Sequence, residues 1–199
     1  MADRPEEPEN QLTDHLILAS SSPRRCEIVK ALDIPVKVVT PQSDEDSAKP
    51  SEKPHEYVLR LSKQKAHHVL TQLHNGIVIA ADTTVVVDNA IMGKPTSGAE
   101  ATQMLLRLKG RGHSVLTGIT VLDVLSRRQI STYKTTEVTM RHYSNIEIAA
   151  YVGSGKPLDR AGGYGIQDEG FGLVEHSNGC YLNAVGLPLC EVIPLLAAM

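Results

Sequence analysis

The stretch Ala19–Ile28 reads ASSSPRRCEI and follows the apolar run LILA. Ser22 and Pro23 have the types expected of a helix N-cap and first helical residue, which places Arg24 and Arg25 in the first turn. Free backbone N–H groups and the helix dipole already favour an anion there, and positive side chains oppose that dipole. A bound phosphate relieves the conflict, because a guanidinium suits bidentate phosphate recognition. A pair of solvated arginines is the other reading, and this stretch alone does not decide between them.

Other charged residues sit in places that ask for a partner. Lys65, within LRLSKQKAHHVL, lies four residues from both Leu61 and Val69, on the inward stripe of a helix. An inward ammonium is costly unless its charge is met; the alternative is snorkelling along the helix to water. Asp82 interrupts the most hydrophobic run of the chain, IVIAADTTVVV. Carboxylates are rarely buried unless paired or metal-bound, and α/β proteins place ligands at the ends of sheet strands. The alternative for Asp82 is a surface turn or a hydrogen bond to the neighbouring threonines. Glu45 in the loop SDED is an acidic candidate for sharing a metal, and Lys94 in MGKPTSG stands in a turn fixed by glycine and proline. Four cations facing one or two carboxylates suggest a polyphosphate with a hard divalent ion, Mg²⁺ or Mn²⁺.

Competing motifs fail on their spacing. GSGKP at 153–157 has Ala150 where a P-loop needs its first glycine and Pro157 in place of Ser or Thr. AGGYGIQDEG lacks dinucleotide-binding spacing, no GxSxG elbow surrounds Ser21 or Ser22, and His67 and His68 are adjacent without an HExxH pattern.

The elements that must hold these residues alternate between helix and strand. Expected are strands at 15–19 and 34–40, a helix from Pro54 to about Leu73, and a strand broken at Asp82 that turns at Asp88-Asn89. A helix at 98–109 capped by Gly110 follows, then long strands near 113–125 and 129–141. Ser144 and Glu147 form a capping box, Asn178-Gly179 reads as a hairpin turn, and Pro188 opens a last apolar helix. Cys26 and Cys190 fall in apolar helical patterns and are expected to fill the core. The fold class is α/β with a mixed sheet: a loose tail over residues 1–14, then a single domain over 15–199.

Composition excludes several classes of function. A net charge of -3 argues against a broad nucleic-acid or membrane surface. No apolar run approaches membrane-spanning length, and no secretory signal pattern opens the chain. Three cysteines without zinc spacing fit a reduced, cytoplasmic protein. One Phe and no Trp leave little for base stacking.

Six motifs in register, LILASSSPRR, EYVLRLSKQKA, AADTTVVVD with GKP, GHSVLTG, PLDRAGGYGIQDEG and NAVGLP, resemble the Maf family of nucleotide pyrophosphatases from Leu16 to Leu196. The resemblance implies hydrolysis of a nucleoside triphosphate to monophosphate and pyrophosphate. It implies a two-lobed mixed sheet flanked by helices, with a central cleft like that of inosine triphosphatase. It places the catalytic proton acceptor on Asp82 and substrate contacts on Ser22, Arg24, Arg25, Lys65 and Lys94. Substrate choice falls on Arg24, Thr83 and Gln167, and a divalent metal on Asp82 and Glu45. YGIQ resembles the branch acting on dTTP and UTP, in a role of removing noncanonical nucleotides. The 7-methyl-GTP branch, and a nucleotide-binding regulator of septum formation, stay open as alternatives. Arg160 stands where lysine is more usual in the family, and the family analogy suggests a homodimer.

Overall fold

Strand β3, Ile77–Val87, is the spine of the molecule. The computed structural model describes residues 16–42, 46–168 and 170–199; the tail expected over 1–14 lies outside them. β3 pairs antiparallel with β5, Gly112–Asp123, which continues to β6, Gln129–Met140, and β7, Val174–Asn178. On its other edge β3 pairs in parallel with β1, Leu16–Ala19, itself beside β2, Val36–Val39. The short β4, Ala90–Met92, folds back antiparallel on the end of β3. Its turn is Asp88-Asn89, both at positive φ, as a tight type I′ hairpin requires. The result is the expected α/β fold with a mixed, seven-stranded sheet.

Alternation along β3 explains its sequence. Val78 and Ala80 face α2, Pro54–Val69, through Ala66 and Val69. Ile79 and Ala81 face the opposite side, against α1, Pro23–Lys30, and α6, Leu189–Ala197. Beyond Thr84 a separate cluster surrounds Val85 and Val87, built with α3, Gly98–Leu108, and α4, Asn145–Gly153. Two lobes thus share the long central strands. α4 begins at the expected capping box of Ser144 and Glu147.

Three expectations are corrected. Asp82 does not interrupt β3: the ladder to β5 is unbroken from Ile77 to Val86, because a carboxylate met by a partner on its own face need not break the strand. Asn178-Gly179 is not a hairpin turn. The Cys180 carbonyl accepts a 2.9 Å hydrogen bond from Thr136 Oγ1, and the chain enters a short helix, α5, Tyr181–Val185. Cys190 is exposed rather than in the core; the inward face of α6 is carried by Val192 with Leu189, Leu195 and Leu196.

The site is created by a gap in the sheet. β1 accompanies β3 only to Ala80, and β4 joins it only from Val85. Among the described residues, the edge of β3 from Ala81 to Thr84 has no ladder partner on that side. Asp82 is therefore mid-strand, yet level with the end of β1, where the chain leaves through Ser20–Ser22 into α1.

Candidate active site

The cleft at this gap is lined by Ser22, Arg24, Arg25, Lys65, Asp82, Thr83, Lys94 and Gln167. Every site residue expected from the sequence lies here except Glu45, which falls outside the described residues.

Asp82 and Lys65 form its floor. Lys65 Nζ donates to Asp82 Oδ1 at 2.6 Å, and both side chains are buried. The lysine does not snorkel: the apolar residues around it on α2 lie on the sheet and point it inward. α2 can lie this close because Gly118 sits opposite Asp82 on β5. A Cβ on Gly118 would come within 2.4 Å of the Val58 carbonyl oxygen of α2, a contact that backbone atoms cannot accommodate.

Arg24 and Arg25 have different settings. Arg24 turns into the cleft and donates to Asp159, to Oδ2 at 3.3 Å and to the carbonyl at 2.8 Å. Burial and the nearby Arg160 charge hold its guanidinium below its ordinary pKa, against the pull of Asp159. Arg25 is buried, donating from Nε to the Gly186 carbonyl at 2.7 Å and from Nη2 to Thr83 Oγ1 at 2.9 Å. Gly186 holds φ 123°, a conformation that suits glycine. Thr83 Oγ1 also meets Thr117 Oγ1 at 2.9 Å, so Arg25 braces the residue expected to read the substrate. Ser22 occupies the N-cap position, but its side chain caps nothing.

The far wall comes from the 3₁₀ turns Lys156–Asp159 and Ala161–Gly163. Asp159 lies 3.5 Å from Lys94 Nζ as well as meeting Arg24. Arg160 binds Asp168 through Nη2, while Tyr151 donates its hydroxyl to the other Asp168 oxygen. Arg160 Nε and Nη1 are buried without a hydrogen-bond partner among the described residues. Two unmet guanidinium nitrogens beside a cleft call for an anion. The cleft holds five cationic side chains (Arg24, Arg25, Lys65, Lys94 and Arg160) against the carboxylates Asp82 and Asp159. This balance opposes the chain's net charge of -3.

Residues 15–199 match the family described as Maf-like protein. The chain belongs to the Maf family. Among its Maf relatives, the dTTP/UTP pyrophosphatase of Methanosarcina barkeri is 44% identical over 181 residues, covering 91% of this chain and 92% of that protein. The dTTP/UTP pyrophosphatase of Dictyoglomus thermophilum is 40% identical over 181 residues, covering 91% and 94%. The solved Ham1 protein of Staphylococcus aureus aligns over 63% of this chain and 71% of its own at TM-score 0.43 and 16% identity, a likeness too slight to bear on the fold.

Reading the sequence of this Maf chain singles out neither Asp159 nor Asp168 with Tyr151, and marks Arg160 only as a departure from lysine. Their one sequence signal is PLDR, which places opposite charges side by side at 159–160. Among the described residues no cluster of three His, Cys, Asp or Glu side chains is arranged to hold a metal, and no helix is long and apolar enough to cross a membrane.

Proposed function

We propose that this Maf-family protein hydrolyses dTTP and UTP to the monophosphate and pyrophosphate. The observation that carries the reading is a buried carboxylate, Asp82, paired with Lys65 at the floor of a cleft with a cationic excess. The names of the relatives supply the substrates.

In this mechanism Arg24 and Lys94 exchange their contacts with Asp159 for phosphate oxygens, and Arg160, held by Asp168, offers its buried Nε and Nη1 to the triphosphate. Asp82 accepts a proton from water as the water oxygen bonds to the α-phosphorus and the bond to the bridging oxygen breaks. Lys65 Nζ, 2.6 Å from Asp82 Oδ1, holds the carboxylate in position. Pyrophosphate leaves with its charge already met by the cations, and this preset electrostatic field supplies most of the acceleration. Thr83, held by Arg25, and Gln167 face the nucleotide and select the pyrimidine, with Arg24 fixing its register.

Mg²⁺ and Mn²⁺ bind through one or two carboxylates when substrate phosphates supply the other oxygens, and Asp82 is a carboxylate of that kind, with Glu45 as its proposed companion. When bound, such an ion would neutralise charge on the phosphates and lower the pKa of a coordinated water. We place the enzyme in the reducing cytoplasm, where it would remove noncanonical nucleotides.

The test is pyrophosphate release from dTTP, UTP and 7-methyl-GTP in competition, with Mg²⁺ present. Preferential turnover of dTTP and UTP supports the reading. Preference for 7-methyl-GTP would reassign the substrate, and nucleotide binding without release would favour a regulator.

A further inference from the structure

Cys180 and Cys190 are not among the residues lining the charged cleft, and their sulfurs lie 3.3 Å apart. Cys180 precedes α5, and Cys190 sits in the first turn of α6. Cys190 is exposed, Cys180 half-buried, and both are free thiols. A disulfide sulfur pair is about 2.05 Å apart, so the two must close by only about 1.2 Å. Lys134 stands beside them, with Nζ 2.8 Å from the carboxylate of Glu191, the residue after Cys190; burial and the Cys180 sulfur raise the Cys190 thiol's pKa, and the Lys134 charge offsets part of that rise. The third thiol, Cys26, belongs to α1 and packs partly buried against the core cluster.

The chain between the two sulfurs forms one wall of the cleft. Ala184 and Val185 line it. The Gly186 carbonyl anchors Arg25, and the Asn183 carbonyl accepts from Thr117 Oγ1 at 3.0 Å. Asn183 Nδ2 ties the segment to the Val115 carbonyl and to Thr136.

The geometry points to Cys180–Cys190 as an oxidation site whose disulfide clasps the segment 180–190 shut against the sheet. A low-molecular-weight disulfide such as glutathione disulfide is the oxidant. The exposed Cys190 thiolate attacks one sulfur of the reagent, forming a mixed disulfide and releasing one glutathione thiolate. The Cys180 thiolate then attacks Cys190 Sγ and displaces the second. Two protein thiols are oxidised, one reagent disulfide is reduced to two thiols, and the two protons pass to the departing thiolates or to solvent. Because the sulfurs already touch, the bond closes without displacing Val185 or Gly186.

The experiment treats the full-length protein with glutathione disulfide, then counts thiols after denaturation and maps the peptides. The expected count falls from 3 to 1 per chain, with Cys180 and Cys190 in one linked peptide, Cys26 still alkylatable, and full recovery under dithiothreitol. Cys26→Ala is expected to form the same linked peptide. Stable glutathione adducts on Cys180 or Cys190, a bond to Cys26, cross-linked dimers, or no loss of thiols would each overturn the assignment. Amide exchange over 181–187 is then compared in reduced and oxidised protein. Slower exchange on oxidation is expected; unchanged exchange in protein carrying the bond would overturn the clasp.

Discussion

Lys65 Nζ lies 2.6 Å from Asp82 Oδ1, with side-chain exposures of 10% and 8%. The pair joins α2 to the central strand at the floor of the cleft, so breaking it is expected to lower stability and, on the proposed mechanism, turnover. Removing one partner from a buried ion pair typically costs about 3–5 kcal/mol, while replacing both can be nearly neutral. Lys65→Met is therefore expected to lose about 3–5 kcal/mol in urea unfolding. Lys65→Met with Asp82→Asn is expected to lose less than Lys65→Met alone. Additive losses in the double-mutant cycle would show that the two side chains do not interact.

Gly118 sets the approach of α2. A methyl group there meets the Val58 carbonyl oxygen at 2.4 Å, and backbone must move to admit it. Gly118→Ala is expected to cost about 2–3 kcal/mol in unfolding free energy and to lower turnover, because the shift of α2 carries Lys65 with it. Wild-type stability in this variant would mean that helix and strand are not held as close as described.

The two adjacent arginines are expected to separate experimentally. Arg24 faces the cleft and is held there by Asp159; Arg25 is buried in structural hydrogen bonds. Arg24→Ala is expected to weaken inorganic triphosphate binding, read by calorimetry, about tenfold, roughly one charge-assisted hydrogen bond, with little change in thermal stability. Arg25→Ala is expected to destabilise the fold by about 2 kcal/mol, since it leaves the Gly186 carbonyl without its donor.

His113 supplies a pH test remote from the proposed proton acceptor. It is 4% exposed, its Nε2 lies 2.6 Å from the Tyr164 hydroxyl, and burial pushes its pKa down to about 4. Unfolded, the same imidazole takes a proton near 6.5. Between those values the unfolded chain binds more protons, so stability falls as pH is lowered through the window, by about 3 kcal/mol in all. Urea midpoints at pH 7 and pH 4.5 are expected to drop further for wild type than for His113→Gln. An equal drop in both proteins would show that His113 is not the group responsible.

Local spacing made half of the cleft legible. Lys65 could be aimed inward because Leu61 and Val69 flank it at helical spacing, and Asp82 stood out against the apolar residues around it. The turn at Asp88-Asn89 and the cap at Ser144 are likewise written in short range. The opposite wall was not legible. Arg24 and Asp159 are 135 residues apart in the chain, and nothing local says that a 3₁₀ turn will carry one to the other. Asp82 looked like a strand break because its partner, on another element, could not be seen from β3 alone. The same long-range folding brings Cys180 to Cys190, whose helical pattern had suggested a buried residue.

In the proposed reaction Asp82 accepts the proton as pyrophosphate is released. The most direct test compares wild type with Asp82→Asn on dTTP and UTP in Mg²⁺, with folding of both checked by urea unfolding. Loss of turnover by about 10²-fold or more, the usual contribution of a general base, with triphosphate binding retained, is the expected result. A folded Asp82→Asn protein that turns over within a few-fold of wild type would contradict it.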